Sequence, residues 1–129
     1  MTRVTAMLDG MTMATKTIAR DQERVRAFRA LFQLTQEELA RITGISLRTW
    51  ERVEQGAVDR ARASRGVYLA LETIEEIMER LDKVPYGTLR TWLTRPRAGG
   101  RGSLLDLVRK PGGLAQFVQY LRSQGDGVS

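Results

Sequence analysis

The amino-acid sequence predicts an all-α protein, and three observations lead to that prediction. Apolar residues recur at helical spacing along most of the 129 residues, and no long alternating run indicates a strand. Ser and Thr residues that suit helix N-caps precede several of these apolar stretches. Gly and Pro residues separate the stretches at positions that suit turns. We therefore expect helices joined by tight turns.

The composition excludes most mechanisms that small enzymes use. The chain has no Cys and no His, so it lacks a thiolate nucleophile and the commonest general base and metal ligand. We therefore expect no enzyme activity, no cofactor and no metal site. With 21 Lys and Arg against 15 Asp and Glu, the formal net charge is +6, which favours a polyanionic partner.

The N-terminal residues do not resemble a signal peptide, because Asp9 and Gly10 interrupt the apolar stretch that one requires. No segment of the sequence approaches the ~20 apolar residues of a membrane helix. We therefore expect no membrane association and a cytoplasmic location.

A first helical bundle is predicted over residues 19–66, after a flexible tail of residues 1–18. Its first helix runs from Asp21 to Phe32, with apolar residues on one face. Thr35 and Glu38 then form the pattern of a capping box, which opens a second helix.

The second and third predicted helices are joined by a turn that contains Gly44, which suits the left-handed end of a helix. Ser46 then caps a third helix that directs Trp50 and Val53 into the core. Two helices joined by a glycine-containing turn are typical of a DNA-binding helix-turn-helix. Outward-facing polar residues near the start of the third helix occupy the part that meets base edges in such motifs. These residues are Ser46, Arg48, Thr49 and Arg52.

This region resembles the Xre (Cro/cI-type) helix-turn-helix family. The resemblance is carried by the runs Leu34–Ala40, Thr43–Ser46 and Trp50–Gly56, which agree with the family motif without a gap. It implies an all-helical domain that binds double-stranded operator DNA as a homodimer. The positions that the resemblance assigns to DNA contact are Gln36 on a phosphate and Leu47, Arg48 and Arg52 on bases. It also implies an ion pair between Arg29 and Glu54.

Each of these charged residues has a structural alternative. Arg48 and Arg52 would otherwise form a solvated face, and Arg29 and Glu54 would be two independent surface charges. Further arginines near the motif are candidates for contact with the DNA backbone alone. These arginines are Arg41, Arg60, Arg62 and Arg65.

A smaller helical domain is predicted over residues 67–122, followed by a flexible tail of residues 123–129. It begins with a long helix whose outer face is acidic, and without His we interpret that face as solvated. Shorter helices follow, one capped by Thr88, one opened by Ser103 and one after the glycines that end at Gly113.

The C-terminal half resembles the toxin-binding domain of the MbcA/ParS/Xre antitoxin family. The resemblance lies in the segments Trp92–Leu93, Gly99–Gly100, Leu104–Val108 and Pro111–Gly113, and in the apolar helix that ends at Leu121. It implies a type II antitoxin, which binds a cognate toxin, often a RES-domain enzyme that destroys NAD, and represses their shared operon. The candidate partner-binding residues are Trp92, Arg95, Arg97, Arg101, Leu105 and Arg109.

Two other interpretations of this half stay open. In the first, the C-terminal half is a dimerisation or core-completing bundle, with Trp92 in the core. The protein would then be a stand-alone repressor of the phage or plasmid type. The protein could also be an interaction module whose helix-turn-helix is only a scaffold. The segment from Lys83 to Arg122 has eight Lys or Arg against one Asp, so its charge suits either an acidic toxin cleft or DNA phosphate.

Overall fold

The computed structural model describes residues 12–100 and 102–124, and within them the chain is all-helical, as the sequence predicts. Seven α-helices and no strand occur in this part of the chain. Each of these helices is too short or too polar to span a bilayer. The helices are α1 (Met13–Phe32), α2 (Gln36–Thr43), α3 (Leu47–Glu54), α4 (Arg65–Leu81), α5 (Tyr86–Thr94), α6 (Leu104–Val108) and α7 (Gly113–Ser123).

Helix α1 begins at Met13 rather than at Asp21. Thr12 caps it, since its Oγ1 accepts a hydrogen bond from the Thr15 backbone N–H at 3.0 Å. Residues 13–20 bury no side chain fully, so they have no apolar face that a periodicity argument detects. The tail predicted over residues 1–18 therefore overlaps this helix, and its first eleven residues lie outside the described part. The C-terminal tail predicted over residues 123–129 also overlaps a helix, because α7 continues to Ser123. Residues 125–129 of that tail lie outside the described part.

The caps predicted for α2 and α3 are present. Thr35 Oγ1 accepts from the Glu38 N–H at 3.0 Å, and the Glu38 carboxylate accepts from the Thr35 N–H at 2.9 Å. That second bond holds the pKa of Glu38 below its usual range. Gly44 ends α2 in the left-handed conformation, with φ of 73°. Ser46 Oγ then accepts from the Thr49 N–H at 3.2 Å, which fixes where α3 begins.

The short C-terminal helices follow the predicted turns, with one difference. Helix α5 begins at Tyr86 after Pro85, and no side chain caps it, so the predicted cap at Thr88 is wrong. Pro disfavours helical geometry in the residue before it but suits a helix start, which explains the earlier boundary. At the start of α7, a Cβ on Gly113 would lie 2.1 Å from the Leu107 carbonyl oxygen, so only Gly fits there.

One apolar core extends through both predicted domains. Phe32 of α1 contacts Phe28 with ring centroids 4.7 Å apart and Phe117 of α7 with centroids 5.5 Å apart. All three rings are fully buried. The backbone N–H of Gly112 also donates to the Ile42 carbonyl of α2 at 3.2 Å. The division near residue 66 therefore separates two stretches of sequence that share a core.

Arginines of the C-terminal half also satisfy carbonyl groups at the end of α1. Arg90 Nη1 donates to the Leu31 carbonyl at 3.3 Å. Arg109 Nη2 donates to the carbonyls of Phe32 and Gln33 at 3.2 Å each. The last carbonyls of a helix have no partner within it, so these side chains complete α1 and fasten α5 and α6 to it.

Candidate nucleic-acid interface

Helix α3 has one buried face and one face that is open to solvent. Trp50 is fully buried and Val53 is 2% exposed, so both belong to the core. On the opposite face Arg48 and Arg52 are exposed, and Leu47 is half-buried. Within the described part of the chain, the Arg48 guanidinium forms no hydrogen bond or ion pair. At Arg48 this face therefore offers a cationic donor that the described fold does not use.

The orientation of α3 against α2 is fixed by Thr43, a residue that the sequence analysis did not single out. The Trp50 indole Nε1–H donates to Thr43 Oγ1 at 3.0 Å, and the same hydroxyl donates to the Leu39 carbonyl at 2.7 Å. The Ile45 N–H donates to Thr43 Oγ1 at 3.3 Å. One hydroxyl thus connects α2, the turn and α3, which holds the outward face of α3 in place. No spacing rule reveals this role, because Thr43 reads as an ordinary helix-end residue.

The predicted pairing of Arg29 with Glu54 is confirmed. Arg29 Nε and Nη2 donate to the two Glu54 carboxylate oxygens at 2.6 and 2.7 Å. Gln22 and Arg26 donate to the Glu54 carbonyl at 2.7 and 2.6 Å. Burial opposes the charge on Glu54, but the bonds from Arg29 and a bond from Gln36 hold its pKa below the ordinary value. The C-terminal end of α3 is therefore anchored on α1.

The other residues predicted to contact DNA differ in their surroundings. Gln36 is half-buried at the start of α2, where its side chain helps to lower the pKa of Glu54. The hydroxyl oxygens of Ser46 and Thr49 lie 2.8 Å apart and share a hydrogen bond. Arg52 Nη2 donates to an exposed loop carbonyl at 3.3 Å. Among these predicted DNA-contact residues, only Arg48 is both exposed and unbonded in the described structure, so it is the one best placed to reach a ligand.

A groove beside α3 brings further polar residues to this surface. Thr49 and Arg52 form one wall, and Arg62 and Ser64 of the segment before α4 contribute to the other. The Arg62 side chain is 90% exposed and only 3.9 Å from a carboxylate oxygen of Asp59. Arg62 is therefore the arginine outside α3 that the structure brings to the same groove.

Arg60 serves the interior, so its interpretation as a DNA-backbone contact is wrong. Its side chain is 11% exposed and pairs with Asp21, which is 3% exposed. Arg60 Nε donates to Asp21 Oδ2 at 3.1 Å, and Nη1 donates to Glu75 at 3.2 Å. The bonds to Asp21 raise the pKa of Arg60, which stays charged. Sequence alone gives no signal for this pair, since the two residues are far apart along the chain.

Two of the candidate partner-binding residues make contacts within the fold. Trp92 is 5% exposed, and its ring centroid lies 6.2 Å from that of Phe117 and 6.0 Å from that of Tyr120. Arg109 is bonded to carbonyls of α1, and its Nη1 lies 3.9 Å from Glu38 Oε2. Trp92 and Arg109 thus help to hold the C-terminal half on the rest of the core, and their assignment to partner contact stays a prediction.

The remaining candidate partner-binding residues differ in exposure and in hydrogen bonding. Arg95 is exposed at the end of α5. Arg97 is half-exposed, and its Nε donates to the Gly102 carbonyl at 3.3 Å. Leu105 is partly buried and packs against the core. Arg101 lies outside the described residues. Arg95 is thus the candidate in this half with the most open surroundings.

Comparison with known proteins adds no relative to this description. No family model matches the chain, and no curated protein and no solved structure matches it. The function is therefore argued from the chain's own residues.

Proposed function

We propose that this chain is a DNA-binding transcriptional regulator. In this proposal α2 and α3 form a helix-turn-helix, and two copies of the chain bind an operator with two half-sites. Helix α3 enters the major groove, where Arg48 and Arg52 contact base edges and Ser46 and Thr49 approach the backbone. Leu47, half-buried at the first helical position, suits contact with a thymine methyl group.

The observation that carries this proposal is the contrast between Arg48 and the arginines around it. Arg29 and Arg60 are paired with buried carboxylates, whereas Arg48 is exposed and unbonded within the described structure. Arg48 thus presents a free guanidinium on a helix whose opposite face is packed in the core. Such a group suits recognition of an anion or a guanine edge. The net charge of +6 adds a general attraction to DNA.

The test is selection of binding sites by the purified full chain from duplexes of random sequence. We expect enrichment of an inverted repeat whose half-sites are about 10 base pairs apart, since two-fold protein symmetry requires a matching operator. Footprinting on a selected duplex should show protection of both half-sites. Failure to enrich any sequence over several rounds would contradict the proposal.

We further propose that the regulator is the antitoxin of a type II toxin–antitoxin pair, which neutralises a RES-type toxin and represses the shared operon. The resemblance of the C-terminal half to the MbcA/ParS/Xre family supports this part. So do the excess of cations in that half and the exposed position of Arg95, which suit an acidic protein surface.

The antitoxin proposal is tested by co-expressing the tagged chain with the products of its neighbouring genes. We expect a stoichiometric complex in which the partner's toxicity disappears, and the Arg95→Glu variant should lose that partner while it still binds DNA. Recovery of the chain alone would favour a stand-alone repressor. The continuous core favours this second candidate, because it gives the C-terminal half a structural role without any partner.

A further inference from the structure

We propose that the turn between α6 and α7 belongs to the DNA-binding surface, with Lys110 contacting a backbone phosphate beside the helix-turn-helix. This inference rests on the proposed DNA-binding function and extends it to a part of the chain outside that motif. It assigns a role to an exposed cation whose side chain forms no hydrogen bond or ion pair within the described structure.

The position of this turn against α2 carries the proposal. The Gly112 N–H donates to the Ile42 carbonyl at 3.2 Å, so the turn lies against the last turn of α2. Gly44, which ends α2, and Ser46, which caps α3, follow within a few residues of Ile42. Lys110 precedes Gly112 by two residues, a chain distance of at most about 8 Å. The turn thus sits beside the end of the motif that leads into α3.

The charges around Lys110 leave two cations open to solvent. Lys110 is exposed and its side chain has no hydrogen bond or ion pair in the described structure, and Arg41 is exposed in the last turn of α2. Two acidic residues are nearby, and both are engaged in caps. The Glu38 carboxylate accepts from Thr35, and the Asp106 carboxylate accepts from the Ser103 N–H at 3.0 Å. Each carboxylate also attracts one of these cations, Glu38 the Arg41 guanidinium and Asp106 the Lys110 ammonium, without forming an ion pair with it.

DNA suits this surface better than a protein partner does. Among the described residues, the large apolar side chains that are exposed are Met13, Tyr68, Leu69 and Tyr86, and none of them is in this turn. Protein interfaces are usually centred on such side chains, whereas contacts to phosphate need only a positioned cation. A helix in the major groove is flanked by the phosphates of both strands, which lie within reach of groups at its N-terminal end.

The matched test compares Lys110→Gln with Lys83→Gln. Both lysines are exposed in the C-terminal half, and each change removes one positive charge, but Lys83 shares its surface with Glu76, Glu79 and Asp82. The probe is a mixed-sequence duplex of about 30 base pairs, and fluorescence anisotropy gives the affinity over a range of salt concentrations.

We expect Lys110→Gln to make the slope of log K against log salt shallower by about 0.9, the value for one phosphate contact on duplex DNA. At about 0.1 M salt this corresponds to an affinity roughly 8-fold lower than that of the wild type. Lys83→Gln should leave the slope unchanged, and Lys110→Arg should retain it. Thermal melting of each variant should match the wild type, since neither lysine side chain supports the core.

Equal slopes for Lys110→Gln, Lys83→Gln and the wild type would overturn this inference. If Arg48→Ala still weakened binding in that case, the proposed function would stand without it. Loss of a co-purifying protein by Lys110→Gln, with DNA binding unchanged, would assign the turn to a protein partner instead. Absence of any wild-type binding at low salt would overturn both the inference and the proposed function.

Discussion

Arginines occur both in the seam that α1 forms with α3 and with the segment before α4, and on the outward face of α3, and the two regions use them in opposite ways. In the seam, Arg29 and Arg60 have side chains 25% and 11% exposed and pair with Glu54 and Asp21. On the outward face, Arg48 is exposed and has no partner in the described structure. The same side chain therefore supports the fold in one region and is available to a ligand in the other.

This difference shows that the number and spacing of basic residues do not identify a nucleic-acid interface. What separates the two regions is a buried carboxylate within reach of each seam arginine. Changes in the seam should therefore lower stability, and changes on the face of α3 should lower DNA affinity without affecting stability. The following variants test that separation, from the largest expected effect to the smallest.

Removing Arg60 should give the largest loss of stability. In Arg60→Ala the Asp21 carboxylate, 3% exposed, would lose its partner, and breaking a buried pair from one side costs about 3–5 kcal/mol. Denaturant unfolding of the full chain measures this. The double variant Asp21→Asn/Arg60→Met should recover part of the loss, since no unpaired charge stays buried. A loss below about 0.5 kcal/mol in Arg60→Ala, the range of an ordinary surface substitution, would contradict the buried pair.

Removing Glu54 should have a smaller effect of the same kind. Glu54→Ala deprives Arg29 of its two-point bond, but water reaches Arg29 more easily than Arg60. We expect a loss of about 2–3 kcal/mol in unfolding free energy. Glu51→Ala is the matched control, because Glu51 is exposed on the same helix and should change stability by less than about 0.5 kcal/mol. Equal effects of the two changes would remove the distinction between seam and surface.

Removing Arg48 should lower the affinity for DNA without changing the free energy of unfolding. We expect Arg48→Ala to weaken binding to a selected operator by about 1–3 kcal/mol, the range for one good base contact. Its unfolding free energy should stay within about 0.5 kcal/mol of the wild type. The control is Arg20→Ala, which removes an arginine exposed among Glu23, Glu79 and Asp82. Unchanged operator affinity in Arg48→Ala would end the assignment of Arg48 to base contact.

The smallest effect concerns acid stability at the junction of α4 and α7. Arg122 donates to both Glu76 oxygens at 2.6 and 2.8 Å, and with Arg80 it lowers the pKa of Glu76 to about 2. The pKa of Glu76 is lower in the folded state than in the unfolded state, so its ion pair stabilises the fold. This contribution to the unfolding free energy is complete above about pH 4.5 and is lost as the pH falls toward 2. Solvent screening keeps it under about 1 kcal/mol.

Melting curves of the wild type and Glu76→Gln between pH 2 and 7 measure that contribution. The wild type should be slightly more stable at neutral pH, and the two curves should converge near pH 2. A constant difference across this range would show that Glu76 acts through packing rather than through its charge.

Local features of the fold follow from the sequence, whereas contacts between distant segments do not. Local sequence predicts the capping box of Thr35 and Glu38 and the left-handed Gly44, because each of these features depends only on neighbouring residues. The pairing of Arg60 with Asp21 and the bonds from Arg109 to α1 join residues far apart in sequence. No periodicity or spacing rule contains that information.

The candidate DNA interface shows the same limit. The outward face of α3 is predictable, because a helix with Trp50 and Val53 buried must present Arg48 and Arg52 on the other side. The different surroundings of Arg62 and Arg60 are not predictable, since both residues belong to one short arginine-rich segment. Only the position of Asp21 on α1 decides that one arginine is enclosed and the other exposed.

The measurement that tests the central claim most directly is the salt dependence of DNA binding by the full wild-type chain. If the open face of α3 and the cations beside it neutralise roughly six phosphates, log K against log salt should have a slope near −5. A slope near zero, or no binding at low salt, would contradict the claim that this surface binds DNA.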